Sequence, residues 1–205
     1  MIKEKPKGLL IVVSGPSGAG KGTICNKLIN EMDNIKLSIS MTSRPPRGKE
    51  VNGKEYYFVT KEEFEEKIKN DQFLDYAVVH HNNYYGTPKA NIEEDLSKGK
   101  NVLLEIDIQG ALKVKEKVQE AIFIFIMPPS MKVLKERLTN RNTESEDKVF
   151  ERFKTAYKEI NDYKKYNYVV VNDEIETAVD KVKSIIMAEK CRVDRIEDIY
   201  LNTDE

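Results

Sequence analysis

Four groups of residues in this 205-residue chain have the types and spacing to handle phosphate. Gly15, Gly18, Gly20 and Lys21 fall in the turn SGPSGAGKGT, where glycines permit backbone conformations that a side chain forbids. Such a turn points its N–H groups inward. With Lys21 at the start of a helix it forms a positive socket, the physical requirement for holding the phosphates of a nucleotide. Arg44 and Arg47 stand three apart in SRPPRG, where Pro45 and Pro46 stiffen the backbone and present both guanidinium groups to a phosphate dianion with little entropy loss. Glu105 and Asp107 close the run VLLEID, two apart on one side of a strand, near the end at which open α/β sheets bind ligands. Arg137 and Arg141, four apart, share a helical face and can offset negative charge on phosphate oxygens.

The spacing of Gly15, Gly20 and Lys21 fits the P-loop, except that residue 22 is Gly rather than Ser or Thr and the hydroxyl moves to Thr23. A Mg²⁺ ion is then expected to rest on nucleotide phosphates, water and acidic side chains such as Glu105, in keeping with an ion that retains much of its water. The elements that must position these groups are legible as four apolar runs, Leu9 to Val13, Val102 to Ile106, Ala121 to Ile126 and Tyr168 to Val171. Helical or irregular sequence separates each from the next, the alternation of a parallel α/β sheet. Helices are expected from Thr23 to Met32, behind a capping box at Thr60 to Glu63 with Phe64 and Ile68, through Val133, Leu134 and Leu138, and through Ile175, Ala178, Val182, Ile185 and Ile186. Residues from about 36 to 95 are too many for a simple crossover. Their strand-like pieces, Lys36 to Met41 and Glu55 to Val59, with a hairpin signal at Asn52-Gly53, read as an inserted substrate lobe. The charged stretch from Ser130 to Arg152 reads as a helical hairpin or a lid carrying arginines over phosphates.

Lys plus Arg number 34 against 35 Asp plus Glu, a formal charge of −1, which removes the usual warrant for non-specific nucleic-acid binding. No apolar run is long enough to span a bilayer, so the expectation is a cytoplasmic protein without a membrane partner. Cys25 and Cys191 lack metal-ligand spacing and read as small buried hydrophobes. His80 and His81 read as exposed loop residues rather than metal ligands.

The segments SGPSGAGKGT, SMTSRPPRGKEVNGKEYYF, NYYGT, LLEIDIQGA, MPPSMKVLKERLTNR and VVVND, in this order over residues from about 8 to 190, resemble guanylate kinase. The resemblance implies one domain over 1–205. Its P-loop NTPase core would be a parallel sheet flanked by helices (about 8–35, 96–130 and 153–190), with an inserted GMP-binding lobe (about 36–95) and a helical lid (about 131–152). It implies transfer of the γ-phosphoryl group of ATP to GMP, and to dGMP, with Mg²⁺. ATP would lie on Gly15, Pro16, Ser17, Gly18, Ala19, Gly20, Lys21, Gly22 and Thr23, with Asn172 and Asp173 near the adenine. The GMP phosphate would lie on Arg44, Arg47, Tyr56 and Tyr85, and the guanine on Ser40, Asp75, Thr87 and Asp107. Arg152 would join Arg137 and Arg141 on the phosphates. Guanine presents N1–H and its exocyclic amine as adjacent donors with O6 as an acceptor, so a carboxylate and a hydroxyl read it, and a site demanding such bonds rejects a mispaired base by about 10⁴-fold. No general base is required, because the acceptor phosphate is already an anionic nucleophile.

Three positions depart from the family pattern. Asp75 stands where Glu is common, shorter by about 1.5 Å; the segment His80 to Asn83 is one residue longer; and Asn140 and Asn142 flank Arg141 where glycines are common. A protein-interaction module without catalysis, and a nucleoside monophosphate kinase of other base specificity, are the alternatives. The oligomeric state is left open.

Overall fold

The computed structural model describes residues 3–4, 7–79, 83–139 and 146–197. In chain order the elements are β1 (Lys3–Glu4), β2 (Leu10–Ser14), α1 (Lys21–Glu31), β3 (Ile35–Leu37), β4 (Met41–Thr42), β5 (Tyr57–Phe58), α2 (Lys61–Lys69), β6 (Phe73–Val79), β7 (Asn83–Pro88), α3 (Lys89–Ser97), β8 (Asn101–Glu105), α4 (Ile108–Lys117), β9 (Ile122–Met127), α5 (Met131–Thr139), α6 (Glu146–Glu159), β10 (Tyr168–Val171), α7 (Ile175–Lys190) and β11 (Ile196–Glu197). Among these residues no helix is long and apolar enough to cross a membrane.

Each apolar run becomes a strand because a parallel strand buried on both faces has no polar side to present. Five strands form one parallel sheet in the order β10-β9-β2-β8-β3. Side chains alternate across β2. Leu9, Ile11 and Val13 meet Ile24 and Leu28 of α1 and Ala178, Val182 and Ile186 of α7 on one face, while Leu10 and Val12 meet Ile92, Leu96, Ala111 and Val114 of α3 and α4 on the other. Complete burial of each such Leu, Ile or Val side chain stabilises the fold by about 1.5–3 kcal/mol. β2 pairs with β8 on one side and β9 on the other, so the crossovers diverge at its carboxyl end and open a crevice there.

A second sheet, β5-β4-β7-β6, carries its own core of Met41, Phe64 and Phe73. The capping box forms as the sequence predicts: Thr60 accepts from the Glu63 N–H, and Glu63 accepts from the Thr60 N–H. It fixes α2 so that Phe64 stacks on Phe73, centroids 4.4 Å apart, and on Tyr84 at 5.2 Å. Leu134 and Leu138 of α5 pack against Ala156 of α6, which gives the helical hairpin expected near Ser130 to Arg152.

Several expectations need correction. The piece Lys36 to Met41 is two strands: β3 pairs with β8 in the core sheet and β4 with β5 and β7 in the other, so the crossing lies at residues 38–40. Asn52-Gly53 forms a turn, with the Gly53 N–H on the Tyr56 carbonyl, and not an antiparallel hairpin, because β5 runs parallel to β4. Cys25 is buried as expected, whereas Cys191 is exposed beyond the last buried turn of α7. His80, His81, Asn140, Arg141 and Asn142 lie outside the described residues.

Candidate active site

The turn after β2 is shaped by two close approaches. A side-chain carbon on Gly15 would meet the Ile126 carbonyl oxygen at 2.3 Å, and one on Gly20, where φ is +92°, would meet Asn172 Nδ2 at 2.3 Å. Only glycine fits at either position. Lys21 Nζ donates to the carbonyls of Gly15 at 2.7 Å and Pro16 at 3.1 Å, folding back along the loop. Burial pushes its pKa below the ordinary lysine value, and the carboxylates of Glu105 and Glu159 oppose that shift. One loop N–H is spent internally, Ala19 donating to the Pro16 carbonyl. Ser17 Oγ accepts from Arg152 Nη2 at 2.5 Å, which ties α6 to the loop.

Asn172, expected near the adenine, also braces the turn. It is buried, its Nδ2 donates to the Ala19 carbonyl at 2.7 Å, its N–H donates to the Met127 carbonyl, and its own carbonyl accepts from Arg137 Nη2 at 3.0 Å. A cleft of about 480 Å³ lies here, lined by Gly18, Gly20, Thr23, Arg137, Asn172, Asp173 and Ile175. Arg137 Nη1 is buried in this wall without a hydrogen-bond partner among the described residues.

The two acids after β8 part company. The strand stops at Glu105, so Asp107 caps α4 and accepts from the Gly110 N–H at 2.7 Å instead of sharing a strand face. Both are solvent-accessible. Glu105 faces the loop: a side-chain carbon on Gly22 would lie 3.3 Å from its Oε1. The cleft walls strip hydration from Glu105 and raise its pKa, against the attraction of Lys21.

Asp107 belongs to another cluster. Asp75 on β6, at an irregularity in the pairing with β7, puts its Oδ2 2.7 Å from where a Gly110 side-chain carbon would stand, so the absence of one makes room for the carboxylate. Asp75 Oδ1 is buried with no partner among the described residues. Burial raises the Asp75 pKa; a hydrogen bond from the buried Thr87 opposes that, and Asp107 reinforces it. Ser40, half-buried at the crossing, accepts from the Tyr57 N–H through its carbonyl.

Arg44 is 6% exposed, with its Nε donating to Tyr85 Oη at 3.1 Å and its guanidinium over the Tyr56 ring at 5.1 Å. Tyr56 and Tyr85 meet edge to face at 5.8 Å. The Arg47 side chain is exposed, and its backbone N–H donates to Glu50. Sequence reasoning missed Glu50, Gly110 and Glu159. Glu50 lay in plain view within an arginine-rich segment; Gly110 lay three residues past Asp107, but the room it leaves for Asp75 comes from a long-range contact, as does the influence of Glu159 on Lys21.

The family model for guanylate kinase matches residues 7–189. A guanylate kinase of Clostridium tetani is 60% identical over 199 residues, covering 97% of this chain and 95% of its own, and one of Caldanaerobacter subterraneus is 57% identical over 201 residues, covering 98% and 97%. The crystal structure of guanylate kinase from Anaplasma phagocytophilum superposes with a TM-score of 0.74 at 37% identity, covering 97% of this chain and 94% of that one. The chain therefore belongs to the guanylate kinase family.

Proposed function

We propose that the two ends of this crevice hold the two substrates of one phosphoryl transfer, ATP on the glycine turn and GMP on the second sheet. The family assigns the reaction: the chain is an ATP:GMP phosphotransferase. The observation that carries the acceptor assignment is Asp75 Oδ1, a buried acceptor without a donor. A carboxylate so placed costs free energy until an N–H reaches it, and guanine offers two adjacent donors where adenine offers none in that order. Thr87 and Asp107, beside it, complete the reading of the base, with Ser40 at the crossing.

On the donor side, the loop of Gly15 to Thr23 and Lys21 cradle the phosphates, and the cleft lined by Arg137, Asn172 and Asp173 takes the adenine end. Mg²⁺ fits an acid-and-water site better than a protein cage. Gly22 leaves open the space that Glu105 faces, and Thr23 is exposed beside it. Glu105 and Thr23 would hold the ion through its water shell, and when bound it neutralises charge between the phosphates. Lys21, Arg152 and Arg137, with Arg141 from the resemblance, offset charge on the transferring group. Arg44, Arg47, Tyr56 and Tyr85 orient the acceptor phosphate, whose own oxygen attacks, so positioning and electrostatics carry the rate. The second sheet as a moving lobe and α5–α6 as a lid belong to the same proposal.

The test is release of ADP from ATP with Mg²⁺ and GMP, dGMP, AMP, UMP or CMP as acceptor. Turnover with GMP and dGMP at least 10³-fold above AMP is expected from a hydrogen-bonding base site. Preference for AMP would overturn the base assignment, and silence with every acceptor would point to an interaction module.

A further inference from the structure

Glu50 holds more of Arg44 than any other described residue does. Its Oε1 accepts from Arg44 Nη2 at 2.7 Å and its Oε2 from Nη1 at 2.6 Å, a bidentate pair, and Oε2 also accepts from the Arg47 N–H at 2.7 Å. A guanidinium has five N–H groups. Here Nη1 serves Pro45 O and Glu50, Nε serves Tyr85 Oη, and one Nη2–H serves Glu50, which leaves a single Nη2–H uncommitted among the described contacts. Because Tyr85 Oη accepts from Arg44, its own proton must point elsewhere. The rings of Tyr56 and Phe58 lie 5.1 Å and 5.6 Å from the guanidinium and hold its plane.

We propose that Glu50 is a positioning residue for the acceptor phosphate: it locks the Arg44 guanidinium so that one Nη2–H and the Tyr85 O–H converge on the phosphate, and fixes the Arg47 backbone beside them. This rests on the reading of Arg44, Arg47 and Tyr85 as the phosphate site. It turns two arginines three residues apart into unlike parts, Arg44 buried and held, Arg47 exposed on the solvent side. The pairing draws the Glu50 pKa down to about 2 and that of Arg44 up, so the lock is ionised throughout the neutral range.

The experiment compares the full-length wild type with Glu50→Gln and Glu50→Asp, reading KM for GMP and ATP, kcat, thermal midpoint, and competitive binding of guanosine, which carries the base but no phosphate. For Glu50→Gln, KM for GMP is expected to rise about tenfold with KM for ATP and guanosine binding unchanged and kcat moved far less, the loss of a charge-assisted contact. Glu50→Asp keeps the charge on a shorter arm and should fall between the two. Parallel weakening of GMP and guanosine, or a lowered thermal midpoint with both substrates affected, would reduce Glu50 to a structural brace and overturn the proposal. Tighter GMP binding in Glu50→Gln would also overturn it, by showing that the carboxylate competes for the phosphate position. A wild type that fails to phosphorylate GMP would instead sink the acceptor assignment itself.

Discussion

The donor end of the crevice is built from backbone and the acceptor end from side chains. Around Lys21 the shape comes from glycines pressed against Ile126 and Asn172, between strands of a sheet buried on both faces. Around Arg44 it comes from side chains at the ends of two-residue strands and on a loop whose residues 45–49 are all exposed, and around Asp75 from a side chain on β6 at the irregularity in its pairing. A phosphate tail common to many nucleotides suits the first design, because backbone N–H groups do not discriminate bases. A choice among bases suits the second, because it needs donors and acceptors in a set order. The difference predicts that damage at the donor end removes rate, while damage at the acceptor end alters affinity and choice.

The largest expected effect is at Lys21. Lys21→Met should lower kcat by about 10³-fold or more, the scale of losing a central electrostatic contact, with GMP binding little changed; equal losses in GMP affinity would erase the division between the ends. Next comes the separate core of the second sheet. Phe64→Ala empties the stack on Phe73 and Tyr84 and should destabilise that sheet by about 3–5 kcal/mol. Amide exchange should speed up across residues 57–87 and stay slow in β2 and β9, and uniform acceleration would mean the two sheets unfold as one.

Asp75 sharpens the contrast in two ways. Asp75→Asn should cut kcat/KM for GMP by about 10²-fold, since the amide presents a donor to guanine donors. Its pKa is raised in the folded state, so the stability Asp75 contributes is present at acid pH and lost as pH rises through the folded value. The empty variant, free of that cost, should melt higher than the wild type at neutral pH. GMP affinity of the wild type should weaken as pH falls through the same value, whereas the variant should show a flat profile. The smallest effect is at Arg137, where Arg137→Ala should lower kcat about tenfold with KM for GMP unchanged, through loss of the contact with the Asn172 carbonyl and of the Nη1 that has no partner among the described residues; a rise in KM for GMP instead would move Arg137 to the other end.

Most of the frame was legible because it obeys local rules. The run Leu9 to Val13 gave a strand one residue later, Leu10–Ser14, and Thr60 to Glu63 gave the capping box. What escaped was decided by partners far along the chain. Lys36 to Met41 reads as one strand until the pairing of β3 with β8 splits it. Glu105 and Asp107 look alike in sequence, and only the end of β8 sends one to the loop and the other to Asp75. Asn172 is called to the glycine turn from about 150 residues away by a single missing side chain, the hydrogen bond to Ala19 spanning 153 positions.

The two cysteines divide the molecule for a chemist with an alkylating reagent. Cys191 stands open at the end of α7, whereas Cys25, four residues past Lys21, is sealed in the core with its thiol pushed well above the ordinary value. One site accepts a dye at once and far from the crevice, while the other reacts only when α1 lifts away from the sheet. The unmodified chain thus already contains an attachment point for a fluorophore and, beside its phosphate socket, a clock for local unfolding.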